Sequence, residues 1–168
     1  GTSALSIVEM DGSSRRRDIR LNGIGEIYNP SWSPDGTQIV FSAMKSGASN
    51  LFVYSVADGS VTQLTDDEFA DLHPAWSPDG KTIAFASDRF TTSLENLTFG
   101  PVRIALLDVE TRVIRPLTDS TEDGKQISPQ WSPDGKAIYY VADSDGVSNI
   151  YRVELANGER AHAAAPVC

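Results

Sequence analysis

One eight-residue segment occurs three times in this chain of 168 residues. It reads Asn-Pro-Ser-Trp-Ser-Pro-Asp-Gly at 29–36, His-Pro-Ala-Trp-Ser-Pro-Asp-Gly at 73–80 and Ser-Pro-Gln-Trp-Ser-Pro-Asp-Gly at 128–135. The three tryptophans are 44 and 55 residues apart, a spacing that is typical of proteins built from repeated supersecondary units. The repeat therefore determines the architecture that the rest of the sequence must fit.

Each repeat is predicted to consist of β-strands. Short β-branched and aromatic runs occur at 38–41, 51–54, 82–85, 102–106, 137–140 and 149–153. Ser-Pro-Asp-Gly is a turn sequence, because proline presets its own φ and glycine tolerates a positive φ. Asp58-Gly59 and Asn157-Gly158 are hairpin signals. Four hairpin-connected strands per ~40–45 residues form the pattern of a β-propeller blade, and no segment has a helical pattern.

The repeated block resembles the PD40, or TolB-like, propeller repeat, whose centre reads Pro-x-Trp-Ser-Pro-Asp-Gly. The resemblance covers residues 4–157 and implies an all-β propeller of four-stranded blades. The family includes the TolB protein of the Tol–Pal system and the propellers of prolyl-oligopeptidase-type peptidases. The motif is thus specific for a fold, and not for one function.

The repeat predicts an incomplete propeller of about three and a quarter blades and thirteen strands. Its divisions are the outer two strands of a preceding blade at 1–21, blade 1 at 22–65, blade 2 at 66–118 with a long loop at 88–101, blade 3 at 119–157, and a tail or linker at 158–168. Closed propellers have about four blades or more. We therefore expect the chain to be a piece of a longer protein. In isolation we expect it to self-associate, with the strand at 15–21 of a second copy completing blade 3.

Nine residues recur at equivalent repeat positions and are predicted to be structural. The tryptophans are expected to pack between blades, and the Asp-Gly pairs to form turns. The nine are Trp32, Asp35, Gly36, Trp76, Asp79, Gly80, Trp131, Asp134 and Gly135.

Composition excludes several classes of function. The net charge of −9 has the wrong sign for binding nucleic acid, and no apolar run is long enough for membrane insertion. The only cysteine, Cys168, excludes an internal disulfide and a cysteine-based metal cluster. No Gly-x-Ser-x-Gly elbow or phosphate-binding loop is present. We expect no catalytic centre, no metal site and no cofactor in these residues.

The charge is concentrated on one predicted face. In each blade, the loop that enters the first strand and the loop that links the second strand to the third should emerge at the same end of the sheet. We call this end the upper face. Its loops lie at 21–28, 44–49, 65–73, 88–101, 118–127 and 143–148. These ranges hold twelve acidic and three basic residues, so they account for the whole net charge. We expect a partner protein to contact this face at Asp66, Asp67, Asp71, His73, Asp88, Arg89, Asp123 and Asp143.

Two motifs suggest a ligand. His73 stands where the other repeats have Asn29 and Ser128, and the position just before the first strand should face the central channel. Asp143-Ser144-Asp145-Gly146 resembles the start of a calcium loop, but Arg152 stands where an EF-hand loop needs glutamate. A polar turn is therefore the simpler interpretation of this segment, and a Ca²⁺ site is the alternative.

The loop at 88–101 contains nine more residues than the first repeat has there, and it mixes apolar with polar side chains. Long loops with apolar content in a compact domain are often functional. We expect Phe90, Leu94, Leu97 and Phe99 to fold over the channel mouth or to contact another chain, the alternative being a mobile loop.

The resemblance implies a non-catalytic, extracytoplasmic scaffold for protein interactions in the bacterial cell envelope, in the periplasm. A second interpretation is the propeller of an S9-type serine peptidase, where the channel filters peptides for a hydrolase domain elsewhere. A third is a metal-dependent lyase similar to oligogalacturonate lyases, whose propeller histidines hold a metal near the axis.

Overall fold

The computed structural model describes residues 4–13, 15–118, 124–144, 146–156, 159–160 and 165–166. All regular structure in these ranges is β-strand, which confirms the predicted all-β class. The strands are β1 (Ala4–Val8), β2 (Arg16–Arg20), β3 (Ile27–Trp32), β4 (Gln38–Lys45), β5 (Ala48–Ser55), β6 (Val61–Gln63), β7 (Asp71–Trp76), β8 (Thr82–Ser87), β9 (Arg103–Asp108), β10 (Ile114–Pro116), β11 (Gln126–Trp131), β12 (Ala137–Ala142), β13 (Asn149–Ala156), β14 (Glu159–Arg160) and β15 (Ala165–Pro166).

The strands pair in chain order as antiparallel hairpins. β1 and β2 form a two-stranded sheet, β3 to β6 form blade 1, and β7 to β10 form blade 2. Blade 3 contains β11, β12 and β13, to which β14 and β15 add. The first strands β3, β7 and β11 lie side by side, so they are the inner strands of successive blades. An incomplete propeller is therefore the architecture of this chain.

Adjacent blades bury their apolar faces against each other, because side chains alternate between the two faces of each strand. Ile83 and Phe85 of β8 pack towards Leu51 of blade 1. The intervening Ala84 and Ala86 pack towards blade 3. The β1–β2 hairpin covers part of the opposite face of blade 1 through Leu5 and Ile19.

The Ser-Pro-Asp-Gly turn is held by side-chain hydrogen bonds. In blade 2 the Ser77 hydroxyl donates a hydrogen bond to the Asp79 carboxylate at 2.6 Å. The hydroxyl oxygen of Ser77 also accepts a hydrogen bond from the Thr82 amide at 2.9 Å. The hydroxyl bond and the Lys81 amide lower the pKa of Asp79 below its ordinary value of 3.8. Gly80 has φ +71°, and a Cβ there would lie 3.4 Å from Pro34 of the preceding blade. The turn therefore also forms a contact between blades.

The repeat tryptophans differ in burial. Trp76 lies between blades 1 and 2 and is only 8% exposed. Trp131 donates its indole N–H to the Ala75 carbonyl of blade 2 at 3.2 Å. Trp32 lines a cavity beside β1 and remains 49% exposed, because the β1–β2 hairpin covers it only in part.

The end of the described chain differs from the prediction of a tail or linker at 158–168. Residues 159–160 and 165–166 instead pair with β13, so the described ranges hold fifteen strands where the sequence predicts thirteen. The pairing uses backbone groups of an open strand edge and needs no β-branched side chains, which is why the alanine-rich sequence did not reveal it. β15 also covers the edge that a second copy's strand was expected to occupy, and residues 16–20 already pair with β1.

Trp76→Ala should lower the free energy of unfolding by about 3–5 kcal/mol, since it empties a buried site between two blades. Trp32→Ala is the matched control and should cost much less, because Trp32 is half exposed. Chemical denaturation of both variants measures the difference. Equal losses of stability would contradict the packing role of Trp76.

Candidate functional site

The upper face forms where the sheet topology predicts it. Each blade is an antiparallel meander, so the loop between its second and third strands emerges at the same end as the loop that enters its first strand. In blade 2 these are the loops at 88–102 and 64–70, and they touch: the Ala70 amide donates to the Asp88 carboxylate at 2.8 Å. The candidate interaction residues are therefore distributed over loops that support one another.

Arg89 is the centre of the contacts between these loops. Its guanidinium donates to both carboxylate oxygens of Asp71 at 2.8 and 2.7 Å, and to Asp67 at 3.0 Å. The group also lies over the rings of Phe69 and Phe85, at 5.6 and 5.7 Å from their centroids. Such stacking suits the planar, weakly hydrated guanidinium. Arg89 is thereby held facing inwards, with its side chain 12% exposed.

The prediction that Asp71 lies in an exposed loop is wrong. It is the first residue of β7, its side chain is fully buried, and the Ser87 hydroxyl donates to it at 2.6 Å. Burial raises the pKa of Asp71, while the charge of Arg89 acts in the opposite direction. Asp71 is therefore a structural partner of Arg89 and is not accessible to another protein.

The other expected contact residues differ in their availability. Asp66 is exposed and accepts a hydrogen bond from Gln63 at 3.0 Å, whereas Asp67 is partly buried beside Arg89. Asp143 accepts the Lys125 amide at 2.7 Å and keeps about a third of its side chain exposed. Asp123 lies outside the described residues. Contact of these residues with a partner stays a prediction.

His73 lies within the inner strand β7, and not just before it as predicted. A register shift between Leu72 and Ala75 bulges the strand, and His73 has φ +53°. The equivalent Asn29 and Ser128 have φ +50° and +54°. A bulge of this kind re-aims side chains. All three residues line an open cavity of about 260 Å³ where the inner strands meet, together with Pro30, Ser31, Pro74 and Gln130.

The chemistry of this axial cavity is neutral and polar. Burial lowers the pKa of His73 below its ordinary value of 6.5, which favours the neutral form of the imidazole. Its Nδ1 atom is buried and has no hydrogen-bond partner among the described residues. Within those residues no group of three or more His, Cys, Asp or Glu side chains could hold a metal ion. Asp145 of the calcium-like sequence lies outside them.

The long loop of blade 2 is closed at its base by hydrogen bonds. The Thr91 hydroxyl donates to the Pro101 carbonyl at 2.7 Å, and the Gly100 amide donates to the Thr92 hydroxyl at 3.1 Å. Beyond this base, Ser93 and Thr98 pair through two backbone hydrogen bonds of 2.8 and 3.0 Å. We call residues 93–98 the loop hairpin.

Glycine is needed at the base of the loop hairpin. A Cβ on Gly100 would lie 2.4 Å from the Thr91 Cβ and 2.5 Å from its backbone oxygen, so no larger residue fits without a shift of the chain. Phe90 packs into the core between blades 1 and 2. Leu97 and Phe99 are 75% and 74% exposed, and Leu94 is also exposed. None of these four residues lines the axial cavity, and their packing over the channel mouth or against another chain stays a prediction.

The family follows from a direct comparison of sequence. Residues 1–94, more than half of the chain, match the model of the TolB beta propeller domain, PD40. The chain belongs to the TolB beta-propeller family.

Two relatives of this TolB-family chain are bacterial proteins. An uncharacterized protein of Agrobacterium fabrum is 32% identical over 139 residues, which are 80% of this chain and 46% of that protein. The Tol-Pal system protein TolB of Xanthomonas campestris pv. campestris is 38% identical over 61 residues, covering 36% of this chain and 14% of that protein. The chain spans less than half the length of these relatives.

The fold comparison agrees with the family. The crystal structure of TolB from Acinetobacter baumannii superposes with a TM-score of 0.74 at 25% sequence identity. The match covers 94% of this chain and 36% of the other. Among the described residues of this TolB-family chain, no helix has the length and hydropathy needed to cross a bilayer.

Replacing Arg89 with methionine should lower the free energy of unfolding by about 3–5 kcal/mol, because it leaves the buried carboxylate of Asp71 without its ion partner. The double variant Arg89→Met with Asp71→Asn should recover part of this loss. Arg20→Met, at an exposed position, is the control and should change stability little. Thermal unfolding of all three variants measures these changes in stability. A melting temperature of Arg89→Met within a degree or two of the parent would contradict the structural role.

Proposed function

We propose that this chain is part of a non-catalytic propeller that binds a protein partner through its upper face. The proposal is supported chiefly by the ordered loops of that face, in which the ion pairs of Arg89 fix two neighbouring loops while Asp66 and Glu68 stay exposed. A rigid scaffold that presents loops is the usual design of a binding surface. A relative bears the name of a Tol-Pal system protein, which is in keeping with such a role.

We propose further that the protein acts in the bacterial cell envelope, in the periplasm. This location rests on the likeness to TolB proteins. Fractionation of cells that carry the full-length gene with a short C-terminal tag tests it. Recovery of the tagged protein with a periplasmic marker is expected, and recovery with a cytoplasmic marker would contradict the proposal.

Site-specific cross-linking tests which face binds the partner. A photo-reactive amino acid at Glu68, on the upper face, should give a discrete adduct in living cells that carry the full-length protein. The same amino acid at Glu110, in the exposed turn between the last two strands of blade 2 on the opposite face, is the matched control. Adducts of equal yield at both positions, or no adduct at Glu68, would contradict binding through the upper face.

A further inference from the structure

The loop hairpin presents large apolar side chains to solvent. Leu94 and Leu97 of the hairpin and Phe99, the residue that follows it, form what we call the apolar tip, and the last two keep about three quarters of their surface exposed. Leu97 also has φ +51°, a left-handed conformation that is unfavourable for a residue with a bulky side chain. Exposed apolar surface and backbone strain both oppose folding stability. The apolar tip is therefore not explained by the stability of the fold.

The structure around the apolar tip is ordered and not merely an open loop. The bonds of Thr91 and Thr92 to Pro101 and Gly100 close its base. Asp88 ties the same base to the neighbouring loop through the Ala70 amide. A contact surface that is already ordered loses little conformational entropy on binding. This arrangement is suited to presenting the apolar tip to another molecule.

The loop that carries the apolar tip and the loop bonded to its base both expose acidic side chains. Glu95 lies within the hairpin itself, and Asp66 and Glu68 are exposed on the neighbouring loop. The basic residues of the described upper face are engaged within the protein: Arg89 pairs with Asp67 and Asp71, Lys45 donates to Gln63, and Lys125 lies 3.9 Å from Asp143. Complementarity therefore favours a positively charged partner.

We propose that the apolar tip is the docking point for a polypeptide segment that combines large apolar side chains with lysine or arginine. This inference rests on the proposed function and names the partner's chemistry. The acidic surroundings disfavour a second copy, which would bring its own acidic upper face against this one. They equally disfavour a membrane surface of anionic lipids.

Selection from a random peptide library displayed on phage tests the proposal, with the protein immobilised as bait. Selected peptides should contain both basic and large apolar residues, and their affinity should fall with added salt. The double variant Leu97→Ser with Phe99→Ser should weaken binding by about tenfold or more, since central apolar contacts dominate interface energies. Val113→Ser, at an exposed apolar site on the opposite face, is the control and should bind like the parent.

The possible outcomes separate this inference from the proposed function. Both serines replace exposed side chains, so the melting temperature of the double variant should stay close to that of the parent. An unchanged melting temperature shows that the double variant is folded. Peptides that bind the double variant as tightly as the parent would overturn the docking point and leave an upper-face scaffold intact. Selection of acidic peptides, or of no peptides, would overturn the proposed chemistry. The proposal would also be overturned if the protein bound no selected peptide and instead bound phosphatidylglycerol vesicles in a separate vesicle-binding assay. The cross-linking at Glu68 decides the proposed function independently.

Discussion

The structure depends on the burial of one sheet face against the next blade. A single four-stranded sheet of this size cannot cover either of its apolar faces, so each blade depends on a neighbouring blade to bury them. Phe85 and Ala86 are adjacent in β8 yet lie in different cores, one shared with blade 1 and the other with blade 3. The two-residue period of the strand thus couples each blade to both of its neighbours.

This stacking also determines where function can be placed. Because the blades pack through their faces, the ends of the sheets remain for loops, and the loops at one end expose the acidic residues Glu26, Asp66, Glu68 and Glu95. The inner strands meet at the axis, where their bulges bring His73, Asn29 and Ser128 to one neutral cavity. The scaffold therefore presents two different surfaces, an acidic face and a polar axis.

The octapeptide repeat was sufficient to predict the family and the order of the strands, because its turn residues act locally. The pairing of Arg89 with Asp71 was not predicted, since the two lie in different strands and loops and meet only in the folded blade. The signal that could have revealed it is the single arginine among the acidic residues of the two upper-face ranges of blade 2, 65–73 and 88–101. The burial of Asp71, like the pairing of β15, depends on tertiary contacts that no local pattern encodes.

The proposed function depends on ordered loops at the upper face, and the loop hairpin of blade 2 is held in a fixed conformation by its base. Amide hydrogen exchange of the protein, resolved to single residues, tests this claim most directly. A fixed hairpin should show slow exchange for the hydrogen-bonded amides of Thr92, Ser93, Thr98 and Gly100, and fast exchange for Glu95 at its exposed end. Exchange of all five amides at the rate of an unstructured peptide would contradict it.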